Sequence, residues 1–278
     1  MNLTLTDPAR PEASTPTPGA PDFRALIPRD VPPQEGAQPG PCGSPECEDG
    51  WRETPAGSLR CPACAAAART AKLADQYARA GVEGTLYHLT WDDVKVEHGS
   101  WRLARALGGH ISDVLGECLN VAMVGLKGRG KTQAGVLLAK DAIEAGHSAL
   151  VVSWAEWVDE VQSDYTRRSR TQAEHVADLA RPDLLILDDV GAAASKEGDL
   201  ERKLFTRVIG ARYNARRPTV VTANLSRREL EAAMGDRAFD RIQHACEWVV
   251  FDGPAYRAEV EAARVSGALS RIRQAAGL

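Results

Sequence analysis

Residues 119–132 read LNVAMVGLKGRGKT, an apolar run of strand formers that passes straight into a glycine-rich loop. The residues that follow, QAGVLLAKDAIEAG, are rich in helix formers. From Gly125 to Thr132 the loop fits Gly-x4-Gly-Lys-[Ser/Thr] through Gly125, Gly130, Lys131 and Thr132. Glycines let successive backbone N–H groups curl around an anion in conformations that a Cβ opposes. The helix that follows adds the partial positive charge of its N-terminus. Gly125, Leu126, Lys127, Gly128, Arg129, Gly130, Lys131, Thr132 and Gln133 are therefore expected to cradle the phosphates of ATP. Lys131 would reach the β- and γ-phosphates, and the Thr132 hydroxyl would ligate magnesium. A glycine-rich turn matching by chance is the plain alternative, and the position between strand and helix argues against it.

Beyond this loop, short β-rich runs alternate with helical ones: SALVVSW (148–154), a long polar helical region, DLLILDDV (183–190), DLERKLFTRVIGARYNA (199–215) and TVVTANL (219–225). Buried apolar strands alternating with helices predict an α/β domain with a mostly parallel sheet. In such a sheet ligands sit at the carboxyl ends of the strands, where LLILDDVG places Asp188 and Asp189. Asp188 would hold magnesium through water, and Asp189 would orient the attacking water. Asn224, at the end of another buried strand, is suited to sense the γ-phosphate; Ser226 already serves as the cap of the next helix.

Three arginines follow. Arg237 and Arg241 lie four apart, on one helix face, in MGDRAFDRIQ (234–243). They would either pair with Asp236 and Asp240 on the surface or serve a neighbouring subunit's nucleotide, and spacing leaves both open. Arg257 falls in the first helical turn after Pro254. A cation there opposes the helix dipole by about 0.3–1 kcal/mol, a conflict that a nearby phosphate would resolve and that Glu259 would resolve in part.

The front of the chain differs. Ten of the 16 prolines fall in residues 1–41, with few large apolar residues, so this segment cannot offset its ordering entropy and is expected to be a disordered tail. Residues 42–64 carry Cys42, Cys47, Cys61 and Cys64 as Cys-x4-Cys, thirteen residues, then Cys-x2-Cys. Two turns presenting four thiolates suit zinc, whose binding would supply the folding energy that a small apolar core cannot. A redox Cys-x-x-Cys would not need the first pair. Cys118 and Cys246 read as ordinary buried thiols. A net charge of -4 argues against a broad basic surface that coats duplex DNA. No secretory signal opens the chain and no apolar run approaches the roughly 18 residues that span a bilayer, which points to the cytoplasm and to no membrane partner.

These motifs, in this order, resemble the DnaC/DnaI/IstB group of AAA+ ATPases over residues 42–258: GLKGRGKT, LLILDDVG, TVVTANLS, MGDRAFDRI and the late AYR (255–257). The cysteine module and GVEGTLYHLTWDDV (81–94) resemble the front end of helicase loaders. The resemblance implies a P-loop NTPase of AAA+ type with a five-stranded parallel sheet at 99–258. It also implies a zinc-binding module and linker at 42–98, and a helical extension at 259–278. Subunits would assemble side by side, with Arg241 as the arginine finger, Arg237 as its companion and Arg257 as the second sensor.

The partners implied are single-stranded DNA and a hexameric replicative helicase. An IstB-like transposition helper, a metabolic P-loop kinase and an adaptor with an inactive ATP site are the rivals. In SDYTRRSR (163–170), Tyr165 would stack on a base while Arg167, Arg168 and Arg170 engage phosphates, at a position that resembles the family's DNA-lining insertion. A solvated helix face is the alternative. Ser195 and Lys196 are weaker candidates for the same role. Asp189 departs from the Glu of many relatives, which implies slow turnover.

Overall fold

The computed structural model describes Cys42 and residues 47–55, 57–94, 98–191, 198–253 and 256–276. The tail expected at 1–41 lies outside them, as do Ser195 and Lys196. In chain order the elements are β1 (Trp51–Thr54), β2 (Gly57–Arg60), α1 (Pro62–Arg79), α2 (Gly99–Gly109), α3 (Ile111–Gly116), β3 (Asn120–Gly125), α4 (Lys131–Glu144), β4 (Ala149–Ser153) and α5 (Trp154–Arg167). There follow α6 (Gln172–Ala180), β5 (Leu184–Asp188), α7 (Gly198–Asn214), β6 (Thr219–Ala223), α8 (Arg227–Met234), α9 (Asp236–Gln243), β7 (Cys246–Phe251) and α10 (Tyr256–Ala275).

The apolar runs become one five-stranded parallel sheet, ordered β4-β5-β6-β3-β7. Successive residues of these strands point to opposite faces and both faces are covered, so the runs carry no polar alternation. Leu184 and Ile186 join Val121, Met123 and Val220 beneath α2 and α4. Leu185 and Leu187 join Val124, Val221 and the buried faces of α5, α7 and α9. The sheet edge at β4 is covered in turn, because Val151 N–H donates to the Ala80 carbonyl at 2.8 Å. A Cβ on Gly81 would stand 2.7 Å from the Val151 oxygen, so this crossing requires glycine.

Four details depart from simple helix and turn expectations. The cysteine segment contains a two-stranded hairpin, with Trp51 opposite Arg60. The helical stretch around 101–116 breaks at His110, where two adjacent glycines, Gly108 and Gly109, end α2. The polar insertion splits at Arg168, a left-handed C-cap, and restarts with the Thr171–Glu174 capping box. The boundary placed at 258 falls inside α10, which is continuous.

Module and sheet are joined by a third small core in which Tyr77, Ala80 and Val82 pack on Val136 and Ile143 of α4. Tyr77 donates to Glu144. Lys140 Nζ donates to the carbonyls of Tyr87 at 2.9 Å and Leu89 at 2.6 Å, and Trp91 Nε1 donates to Asp141 at 2.8 Å.

Candidate nucleotide site and metal centre

The glycine-rich loop leaves β3 with left-handed backbone at Gly125, Gly128 and Gly130 (φ 131°, 79° and 98°). Two of these positions are also spatially closed. A Cβ on Gly125 would come within 2.4 Å of the Phe251 carbonyl, and one on Gly130 within 2.1 Å of the Trp101 ring. Trp101, edge-on to Phe251, thus backs the loop from α2, a contact that the sequence motifs do not announce.

Lys131, 5% exposed, opens α4. Its Nζ donates to the carbonyls of Gly125 and Leu126 and to Asn224 Oδ1, each at 2.8 Å. Burial brings its pKa down to about 8, against the opposing pull of Asp189 and Asp188. Leu126 is exposed at the loop tip, and Gln133 is half-buried in the first turn of α4. Arg129 Nε is buried without an acceptor, an orphaned donor in the wall of a loop shaped for an anion.

Opposite Lys131 stand the carboxylates. Thr132 Oγ1 donates to Asp188 Oδ2 at 3.1 Å. Thr222 Oγ1 donates to Asp188 Oδ1 at 2.6 Å and accepts the Asp189 N–H at 2.9 Å. Asp189 adopts φ 57°, and its Oδ1 accepts from Asn224 Nδ2. Burial raises the Asp188 pKa, while its two hydroxyl partners hold it down. Asn224 therefore bridges Lys131 and Asp189, and Thr222 fixes both acids. Thr222 was missed at the level of sequence, although it lies near the end of β6, two residues before Asn224. A hydroxyl and a carboxylate side by side, with an orphaned cationic donor nearby, fit a magnesium-bound nucleotide phosphate.

The arginines lie elsewhere. Asn120 Nδ2 donates to the Ile242 carbonyl at 3.3 Å, which seats the end of α9 at the amino end of β3. Arg241 is therefore about 17 Å of strand away from its own phosphate loop, at a rise of about 3.3 Å per residue. Among the described residues neither Arg237 nor Arg241 forms an ion pair with Asp236 or Asp240; Arg241 Nη1 donates to the Arg237 carbonyl at 3.3 Å. Arg257 falls in the first turn of α10, its side chain outside the described residues. In the insertion Tyr165 is 69% exposed on the last turn of α5, beside Arg167 and Arg168, whereas Arg170 is committed to an ion pair with Asp178.

The four thiols of Cys42, Cys47, Cys61 and Cys64 lie within 4.8 Å of one another, with Cys42–Cys61 at 3.7 Å and Cys47–Cys64 at 3.5 Å. Four ligands at about 2.3 Å around a tetrahedral zinc stand about 3.8 Å apart, so the donor set fits that ion.

A family model described as "IstB-like ATP binding protein" matches residues 111–263, more than half of the chain. The chain belongs to this family. Its fold is shared with "Crystal structure of the DnaC helicase loader", at 19% identity and TM-score 0.52, over 60% of this chain and 99% of that one. It is shared also with AMPPCP-bound DnaA from Aquifex aeolicus, at 20% identity and TM-score 0.51, over 64% of this chain and 55% of that one. No curated protein sequence matches. The protein is thus an IstB-like ATP-binding protein whose fold is shared with the DnaC and DnaA structures, and the elements around Lys131 present the geometry that fits a nucleotide phosphate. No helix of the described residues is long and apolar enough to cross a membrane.

Proposed function

We propose that this ATPase is a helicase loader, which delivers a hexameric replicative helicase to single-stranded DNA under control of ATP. The observation that carries the reading is the docking of the end of α1 and the linker after it, which leads out of the cysteine module, on α4, the helix that opens directly after the glycine-rich loop. Nucleotide at one end of α4 and a partner gripped by the module at the other would share one rigid element, as a switch requires. The likeness to a structure titled a helicase loader points the same way.

In this reading Lys131 and the loop amides hold the phosphates, and Thr132 and Asp188 hold magnesium, which neutralises phosphate charge. Asp189, fixed by Asn224, orients the attacking water. Arg241, with Arg237 beside it, serves the site of an adjacent copy, since it stands at the far end of the sheet from its own. Arg257 serves as second sensor. Cys42, Cys47, Cys61 and Cys64 hold zinc, which folds the module at 42–98 ahead of the ATPase domain at 99–258 and the extension at 259–278. Tyr165, Arg167 and Arg168 face single-stranded DNA.

Lys131→Ala is expected to abolish ATP binding by calorimetry and ATP-dependent assembly by light scattering, with the zinc content unchanged. Retained ATP binding would sink the assignment of the site. Affinity capture should recover a replicative helicase. Recovery of a transposase without helicase would instead establish the IstB-like role, a transposition helper that binds target DNA.

A further inference from the structure

The polar insertion carries a cluster apart from the nucleotide site and the cysteine module, where Glu160 and Asp164 of α5 meet His175 of α6. One donor atom from each lies within 4.8 Å of the others. The two acids stand four apart, on one face of α5. His175 is 2% exposed, its ring edge-on to Trp157 with 6.2 Å between centroids, and its Nε2 lies 3.0 Å from Asp164 Oδ2. The other Asp164 oxygen accepts from the Ser169 hydroxyl at 2.8 Å, in the break between the two helices. Ring and carboxylate are thus each held from behind, as outer partners hold the ligands of a metal.

Charge opposes this convergence. Like charges four apart weaken a helix, and Asp164 sits in the last turn of α5, where the negative end of the helix dipole repels an anion. A proton on His175 would answer Asp164, but Glu160 has no hydrogen bond or ion pair among the described residues. Arg170 pulls on Asp164 from a distance; its ion pair is with Asp178, which Arg181 shares. Arg167 and Arg168, at the end of α5, pair with neither acid among the described residues. A cation held by all three donors would offset both carboxylates. The spacing agrees, because adjacent ligands at about 2.1 Å from a metal stand about 3.0 Å apart in six-coordination and about 3.4 Å in four. A groove of about 350 Å³, lined by Glu160 and His175 among others, leaves room for water to complete the shell.

We infer that Glu160, Asp164 and His175 form a second metal site, which takes a divalent first-row transition ion. One imidazole with two carboxylates suits zinc or manganese, whereas four thiolates discriminate against manganese, so that ion separates this centre from the cysteine module. The ion joins α5 to α6 across the break at Arg168–Thr171 and fixes the end of α5 that exposes Tyr165. The site is independent of the helicase-loading reading.

The test is a manganese titration of the full chain, zinc-loaded and without nucleotide, followed by the electron paramagnetic resonance of free Mn²⁺. The parent is expected to take up one equivalent at micromolar manganese, with protection from hydrogen exchange rising over residues 164–175. Glu160→Gln, at an exposed position where folding tolerates the change, should weaken uptake at least about tenfold and remove the gain in protection. Asp188→Asn, which alters the nucleotide site alone, should take up manganese as the parent does. No uptake by the parent at millimolar manganese would overturn the inference and leave His175 and Asp164 as an ion pair between two helices. Equal uptake by the parent and Glu160→Gln would overturn it as well. Loss of uptake in Asp188→Asn would do the same, by placing the ion in the nucleotide site.

Discussion

Lys131 has a proton equilibrium that the motif does not reveal. With its pKa brought to about 8 by burial, the free site loses the ammonium charge as pH rises through that value. Phosphates favour the charged form, so ATP binding should take up a proton above pH 8, and affinity should weaken there by up to about tenfold per pH unit. Calorimetry in buffers of different ionisation enthalpy measures that uptake directly. For folding the sign is opposite: the unfolded lysine, near pKa 10.4, binds the proton more tightly than the native one. This group's contribution to stability therefore rises with pH between about 8 and 10.4. Thr222 is the other residue of consequence, because its hydroxyl fixes Asp188 and Asp189 together. Thr222→Val should lower turnover about 10–100-fold with little change in ATP affinity, as filter binding and single-turnover hydrolysis would establish.

Single side chains also set how elements meet. Arg212 on α7 reaches the end of α6, the turn into β5 and the start of β6 through five donors, so one guanidinium closes three junctions. Arg212→Met would leave at least four buried acceptors unpaired. A loss of about 3 kcal/mol or more is expected, read from urea unfolding with an unchanged m-value. Capping follows the same local logic and was legible in advance at Ser226, whose hydroxyl accepts the Glu229 N–H while Glu229 returns to the Ser226 N–H. The hairpin at Trp51–Arg60 was not legible. Its four-residue strands bury little, and it is held by the turn at Asp49–Gly50, by the Cys61 N–H bond to Gly50 and by the thiol cluster behind it.

For the whole molecule, the join between module and ATPase governs what metal removal does. Stripping zinc should collapse protection from hydrogen exchange over residues 48–64. Residues 73–82, packed on α4, should retain it, with ATP affinity within about twofold of the parent. One equivalent of released zinc, counted with a colorimetric chelator, completes that check. The parallel sheet and the glycine-rich loop at its carboxyl end were legible because apolar runs that alternate with helices admit few topologies, and because GLKGRGKT sets glycine, lysine and a hydroxyl at fixed spacing after a strand. The sequence by itself therefore determined the fold class, the phosphate loop and the cysteine donor set, all of which depend on local spacing. Only the tertiary structure decided that Thr222 serves both acids, that Trp101 backs Gly130, and that Arg170 is engaged by Asp178. It also decided that Arg212, Arg216, Arg217 and Arg241 gather around one cavity at the end of the sheet away from the glycine-rich loop. These are contacts between segments distant in the chain, set by strand order and helix packing, which no local spacing encodes.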